Sequence, residues 1–280
     1  MNKNFKILYD KINKITVMKV TDKHIYKILE LIKKFDSKYI NKLKNVIVEQ
    51  KDQNSFLVIT DNIIIKNYYN NNYYISDYCP TQKLNKMKYK HIIKLLDFYE
   101  EYNLLVFEKI YPIYEKQMFK NRKTGIIKEK DVLNNKYTTH QVLKFIIMVV
   151  LKSIINLYLY NQQVNKELSY KNIGINKNGT IKIFNLGSSK FINPESKTLA
   201  KEELYSSFKI FINSLLKLLK NNKQSGQITL IESFMLDFNY TLTDKKIVET
   251  PSIDGKYKKH KFRYFKFLNF DNILQFTKEW

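Results

Sequence analysis

The stretch from Val164 to Lys190, VNKELSYKNIGINKNGTIKIFNLGSSK, holds the chain's most suggestive chemistry. It reads as turn, strand, Asn-Gly turn, strand and glycine turn, with polar side chains kept at both strand ends. Glu167 and Asn172 precede the first strand and Asn185 follows the second. A carboxylate can orient a hydroxyl. An amide oxygen can approach a hard cation, but it brings no negative charge to it. The stretch is therefore either a catalytic centre or one whose charged catalytic residues have been replaced. Much earlier, Lys66 closes the apolar run NIIIK, where it is either a solvated strand residue or a second participant.

Several segments must position these groups. Residues 1–20 contain a short strand, ITVMKV, and Thr21 or Asp22 then caps a helix running to about Leu43. Ile25, Ile28, Leu29, Ile32, Phe35, Tyr39, Ile40 and Leu43 share one face at the helical period, so the helix either docks on the main domain or binds a partner. NVIVEQ, FLVIT and NIIIKNYY follow as strands joined by the short polar turns KDQNS and TDN. The text from there to Lys90 has no clear period. IIKLLDFYEEYNLLVFEKI supplies two more strands around a Glu-Tyr-Asn turn, and Pro112 stops the second. After Ile113 the chain turns helical, with segments from Thr139 to Asn161 and from Glu202 to Leu219. The expected fold class is α+β: a small antiparallel lobe followed by a larger helical one.

This organisation resembles a eukaryotic-type, serine/threonine protein kinase domain over roughly residues 45–250. Asn165 to Asn172, NKELSYKN, lies over the family's catalytic loop H-R-D-L-x-x-x-N, and Asn185 to Gly187, NLG, lies over its metal loop D-F-G. Leu168, Asn172 and Gly187 are identities, and the hairpin between the loops has the family's length. Lys66 looks like the lysine of the third strand. LLVFEKI resembles the fifth strand and hinge, with Phe107 as gatekeeper and Glu108 and Ile110 at nucleotide-binding positions. Asn193 to Glu195, NPE, resembles the close of the activation segment, and ELYSSF places Glu203 where the family has aspartate. The resemblance implies a bilobal fold divided as 1–44, an N-terminal extension with an amphipathic helix; 45–110, an N-lobe; and 111–280, a C-lobe with a basic, aromatic tail.

It also implies ATP and Mg2+ as cofactors, and here the residues depart from the family. Asn185 replaces the aspartate that grips magnesium, so the metal site loses its principal anionic ligand. Glu167 keeps a carboxylate at the catalytic position, but one methylene further out, a displacement of about 1 Å that can cost about a hundredfold. Asn172 either serves as a metal ligand or ties its loop together by hydrogen bonds. Ser169 replaces a lysine, and Asn165 and Lys166 replace the histidine and arginine that brace the loop. The phosphate-covering turn, EQKDQNSF, has no glycine, and Asp52 adds a negative charge there. No glutamate occurs between Lys51 and Tyr99 to anchor Lys66; Asp77 is the nearby acidic candidate in the helix region, in irregular-looking text before Pro80.

Metal, phosphate turn, anchoring pair and catalytic loop are altered together. The expected function is thus a catalytically impaired, kinase-like protein, a pseudokinase, that acts as a binding or regulatory scaffold with a kinase or a substrate as its protein partner. One alternative is a divergent active serine/threonine kinase using Glu167, Asn172, Asn185 and Lys66. Another is a basic protein associated with nucleic acid.

Composition bounds these readings. Lys and Arg number 49 against 26 Asp and Glu, a net charge of +23, yet only Arg122 and Arg263 are guanidinium groups. Dispersed lysine attracts polyanions without specific recognition. The tract KYKKHKFR, Lys256 to Arg263, with the neighbouring aromatics Tyr264, Phe265 and Phe267, either stacks bases or forms an ordinary core edge. The single cysteine, Cys79, excludes an internal disulfide, and four scattered histidines do not suggest zinc. Phe145 to Tyr160 is apolar but interrupted by Lys152, Ser153 and Asn156, so it reads as a core helix rather than a transmembrane segment. The polar N-terminus shows no signal-peptide pattern, and the expected location is intracellular, cytoplasmic or nuclear.

Overall fold

The computed structural model describes residues 3–16, 20–120, 125–192, 197–221 and 224–232, with backbone alone at 197–201. Two compact units divide the chain. One comprises residues 1–112 with 172–189; the other comprises 113–171 with the chain from 190 onward. Both belong to a mixed α+β architecture.

The first unit is built on an antiparallel sheet of five strands: β1 (Ile47–Asp52), β2 (Ser55–Ile59), β3 (Ile63–Tyr68), β4 (Leu95–Tyr99) and β5 (Leu104–Glu108). Their order is β1-β2-β3-β5-β4, so β3 lies at the centre. It is buried along its whole length, and the two-residue alternation of a strand gives its faces different tasks. Ile63 and Ile65 join Phe56, Val58, Leu104 and Val106 in one core cluster, while Lys66 and Tyr68 belong to the opposite alternation.

Two N-terminal helices complete that cluster. Helix α1 (Lys3–Ile15) contributes Phe5, Leu8 and Ile12, and α2 (Asp22–Phe35) contributes Ile25, Ile28, Leu31 and Ile32. In both, apolar residues recur every three or four positions with lysines between them, which makes a single buried stripe. The Lys11 ammonium donates to the Lys44 and Val46 carbonyls, at 2.6 and 2.7 Å, and so ties α1 to the short 3-10 segment Ser37–Asn45. Two expectations are corrected here. Ile15 ends a helix rather than opening a strand, because Ile12 and its predecessors already follow the helical period; residues 17–19 lie outside the described residues. The helix begun at Asp22 stops at Phe35, where Asp36 leaves helical geometry and its carboxylate accepts the Asn62 N–H at 3.1 Å.

Residues 71–86, without clear period in the sequence, form helix α3 (Asn71–Lys86). Asn70 caps it, its side chain accepting the Asn72 N–H at 2.8 Å. The buried positions Tyr74, Asp77, Thr81 and Leu84 do follow helical spacing. Pro80 is buried beside them, so the stripe of five holds two polar residues and a proline, which removes the apolar signature. Tyr74 is nearly inaccessible, and its hydroxyl finds no hydrogen-bond partner among the described residues. A buried hydroxyl without a partner costs about 1–3 kcal/mol. Tyr74→Phe is therefore expected to stabilise the protein by about 1 kcal/mol, read as a higher urea midpoint; a lower midpoint would show that the hydroxyl is satisfied.

In the second unit, α4 (His140–Asn161) starts at a Thr139 cap and buries residues on nearly every side, among them Ile146, Val150, Ile154 and Leu157. Among the described residues it is the one helix long and apolar enough to cross a membrane, and 67% of its most apolar stretch is buried inside the structure. It packs against α5 (Lys197–Asn221), whose Phe208, Phe211, Ile212, Leu215 and Leu219 are fully buried. A two-stranded ribbon, residues 114–133, joins the same unit. Asn193 to Glu195, the tract Lys256 to Arg263 and the aromatic tail lie outside the described residues.

Candidate functional site

In the first unit, strand alternation and helical spacing bring Lys66 and Tyr68 of β3 to Asp77 of α3. The Lys66 ammonium lies 2.9 Å from Asp77 Oδ2, and both side chains are buried. The Tyr68 hydroxyl donates to the same Oδ2. Asp77 Oδ1 accepts the Leu186 N–H at 2.8 Å. One carboxylate thus takes three donors, one from a strand ammonium, one from a phenol and one from the loop after the 173–183 hairpin. Burial, and then the Asp77 charge and the bond donated to it, push the Tyr68 phenol well above its ordinary value. Tyr68 therefore stays protonated and acts as a donor.

Asn185 completes the cluster. Its Oδ1 accepts from the Lys66 ammonium at 2.7 Å. Its backbone is left-handed, φ 60°, a conformation asparagine tolerates better than most residues. The Asn185 backbone opens the turn Leu186–Ser188, which lies against α3. A Cβ at Gly187 would come within 3.3 Å of Ser76 Oγ and 3.4 Å of Asp77 Cβ, so the turn is seated closely on the helix. The glutamate that the resemblance leads one to seek is absent, and Asp77, the acidic candidate in this region, pairs with Lys66 because residues 71–86 are helical rather than irregular.

Asn172 is buried in the same unit, and its carbonyl accepts the Phe184 N–H at 3.1 Å, one residue before Asn185. Lys51 holds its ammonium 5.5 Å from the centre of the Phe184 ring. The turn between β1 and β2 is tight, with Asp52 opposite Ser55. Asp52 Oδ1 accepts the Asn54 N–H at 2.8 Å and the Ser55 hydroxyl at 3.0 Å. Asp52 thus caps its own turn and pairs the Asn54 N–H within it.

Glu108 belongs to a second cluster, which sequence reasoning missed. Its carboxylate accepts from Lys182 Nζ at 3.0 Å, Asn176 Nδ2 at 3.1 Å and the Lys94 N–H at 2.9 Å. Lys182 also donates to the Ile92 carbonyl at 3.2 Å. Asn176 closes the Asn-Gly turn as well, its Oδ1 accepting the Asn178 and Thr180 N–H groups, while Gly179 takes the left-handed φ of 77°. An asparagine six residues before a strand lysine, across an Asn-Gly turn, was the available signal. The Glu108 N–H is paired with the Lys94 carbonyl and the Lys109 N–H with the Asn62 carbonyl, and Ile110 stands opposite Asn176 in a strand pair.

Burial pushes the Glu108 carboxyl up, but the Asn176 and Lys182 hydrogen bonds, the Lys94 N–H and the Lys182 charge outweigh it and hold the group below its ordinary value of 4.5. A depressed carboxyl contributes stability that is present above the unfolded value and lost as pH falls through the folded one. Glu108→Gln should therefore destabilise the protein at pH 7, and the gap to wild type should close below about pH 4. Urea midpoints at the two pH values check this; a gap that persists in acid would refute it.

In the second unit, Glu167 is exposed and its N–H donates to Asn165 Oδ1 at 2.9 Å. Asn165 is buried, and its carbonyl accepts the Ser207 hydroxyl of α5 at 2.5 Å. Lys166 pairs with Glu203 of the same helix. Tyr170 donates its N–H to Ser214 Oγ at 3.0 Å and its hydroxyl to Asp131 at 2.7 Å. A loop carrying one exposed carboxylate is thus braced by α5 through residues different in type from those the resemblance implies.

No protein-family model matches the chain, and a comparison with curated proteins gives no match either.

The residues do not fit a magnesium-bound triphosphate. Magnesium seeks hard anionic oxygens in strict octahedral geometry. Asn172 and Asn185 are neutral, and the Asn185 oxygen already faces an ammonium, so a dication on it would stand beside a like charge. Among the described residues, no three His, Cys, Asp or Glu side chains converge on a common point.

Proposed function

We propose that the chain is a kinase-like protein whose phosphotransfer site is degraded and which works by binding other proteins, as a scaffold or regulator. The single observation that carries this reading is the 2.7 Å bond between the Lys66 ammonium and Asn185 Oδ1. In the bilobal kinase-like fold that the resemblance implies, these two positions would handle phosphate and metal. Here they satisfy each other through a neutral amide. The sheet order, the helix between β3 and β4, and the lysine of the third strand paired to a helix carboxylate support the kinase-like part. The Asp52 turn supports the degraded part. The partner would be a protein, a kinase or one of its substrates, in an intracellular setting.

Thermal denaturation with ATP, with and without magnesium, tests the reading. A ligand at 100 times its dissociation constant adds about 2.7 kcal/mol of stability. The expected result is no magnesium-dependent stabilisation. A rise of that size that needs magnesium would count against the proposal.

A second reading, a divergent active serine/threonine kinase, is favoured by the intact Lys66–Asp77 pair and by the exposed, braced Glu167. Labelled phosphate transfer by wild type that Glu167→Ala abolishes would raise it above the first.

A further inference from the structure

We propose that Lys66 is a built-in cation which holds the turn Leu186–Ser188 against α3 without nucleotide or metal, so that strand, helix and turn form one permanently assembled clasp. The proposal rests on the degraded-site reading above only in its claim that no metal is needed.

The electrostatics support it. The turn reaches α3 directly by two routes, the Leu186 N–H to Asp77 Oδ1 at 2.8 Å and the close seating of Gly187 on Ser76 and Asp77. The Asn185 amide just before it reaches Lys66 of β3 at 2.7 Å, which is itself paired with Asp77. Lys66 and Asp77 neutralise each other at 2.9 Å in a buried setting, and the phenol of Tyr68 adds a donor to the same carboxylate. The ammonium ring-face contact at 4.6 Å from the Tyr68 centroid covers another side of the cation. With a carboxylate in place of the Asn185 amide, two anions would share one ammonium, and the excess negative charge would call for a further cation. The neutral amide removes that demand. Asn185 is in this sense a positioning residue: it accepts from Lys66 and leaves the cluster balanced at one positive and one negative charge.

Amide hydrogen exchange on the full-length chain, resolved at Leu186, tests the clasp. In ligand-free wild type the Leu186 amide should exchange slowly, and magnesium, ATP or both should not slow it further. Asn185→Gly keeps the left-handed backbone but deletes the amide, and should accelerate Leu186 by about tenfold while Val106 in β5 is unchanged. Lys66→Met should accelerate it by about a hundredfold or more, as befits the loss of one member of a buried pair. Asn185→Asp should acquire a thermal stabilisation by magnesium alone that wild type lacks. Fast Leu186 exchange in the ligand-free protein would overturn the proposal, as would an unchanged rate in Asn185→Gly. If Mg-ATP binds while Leu186 is already slow, the degraded-site reading falls and the clasp stands. If Leu186 is fast in a chain that binds no Mg-ATP, the clasp falls and the degraded site stands.

Discussion

Asp77→Ala is expected to destabilise the protein by about 3–5 kcal/mol, the cost of leaving one member of a buried ion pair without its partner. The substitution strands the Lys66 ammonium in the interior, and it removes the acceptor of the Tyr68 hydroxyl and the Leu186 N–H as well. Asp77→Asn should cost less, because an amide oxygen still accepts hydrogen bonds. The double substitution Lys66→Met with Asp77→Leu should cost less than the sum of its single changes, since no unpaired charge remains. Urea denaturation with an unchanged slope measures wild type, Asp77→Ala, Asp77→Asn, the double variant and its two single changes. A loss below about 1 kcal/mol for Asp77→Ala would place the pair among solvated surface contacts and remove the basis for the clasp.

Phe5→Ala is the second large effect, with an expected cost of about 3–5 kcal/mol. Phe5 is 2% exposed, and its ring lies 4.5 Å from that of Tyr26 and 5.7 Å from that of Tyr9. It shares a continuous core with Ile28 of α2 and Ile65 of β3. Truncating it opens a cavity that helix and sheet can close only in part. Its exposed neighbour Lys6 is the control, and Lys6→Ala should change stability by no more than about 0.5 kcal/mol. If Phe5→Ala proved equally mild, α1 would be an appended helix free for a partner rather than part of the first unit's core.

The sheet was legible because its strands are short β-branched runs set off by polar turns, and the long helices because Phe208, Phe211, Ile212 and Leu215 keep one face. Helix α3 was not legible. Its buried stripe contains Asp77 and Thr81, and Pro80 sits within it, so the residues that make the site chemically interesting also erase the apolar period that would announce the helix. The same cause hid the anchoring of Lys66: an acidic residue can be matched with a lysine only when the backbone between them is known to be helical. Lys66 and Asn185 were singled out from the sequence as separate positions, but their contact spans 119 residues and no local pattern encodes it. The engagement of the Glu108 carboxylate by Lys182 and Asn176 was hidden too, because their polar side chains looked like ordinary turn and strand residues. The bracing of the 165–170 loop by Glu203, Ser207 and Ser214 was equally hidden, because it depends on which face of α5 meets the loop.

The most direct measurement is a calorimetric titration of ATP into wild type and Asn185→Asp, each with and without magnesium. In wild type, ATP affinity should be no tighter with magnesium than without it, while Asn185→Asp should gain a magnesium-dependent component. A tightening of tenfold or more by magnesium in wild type, about 1.4 kcal/mol, would show that Asn185 and its neighbours hold a metal-bound triphosphate after all, and would contradict the account.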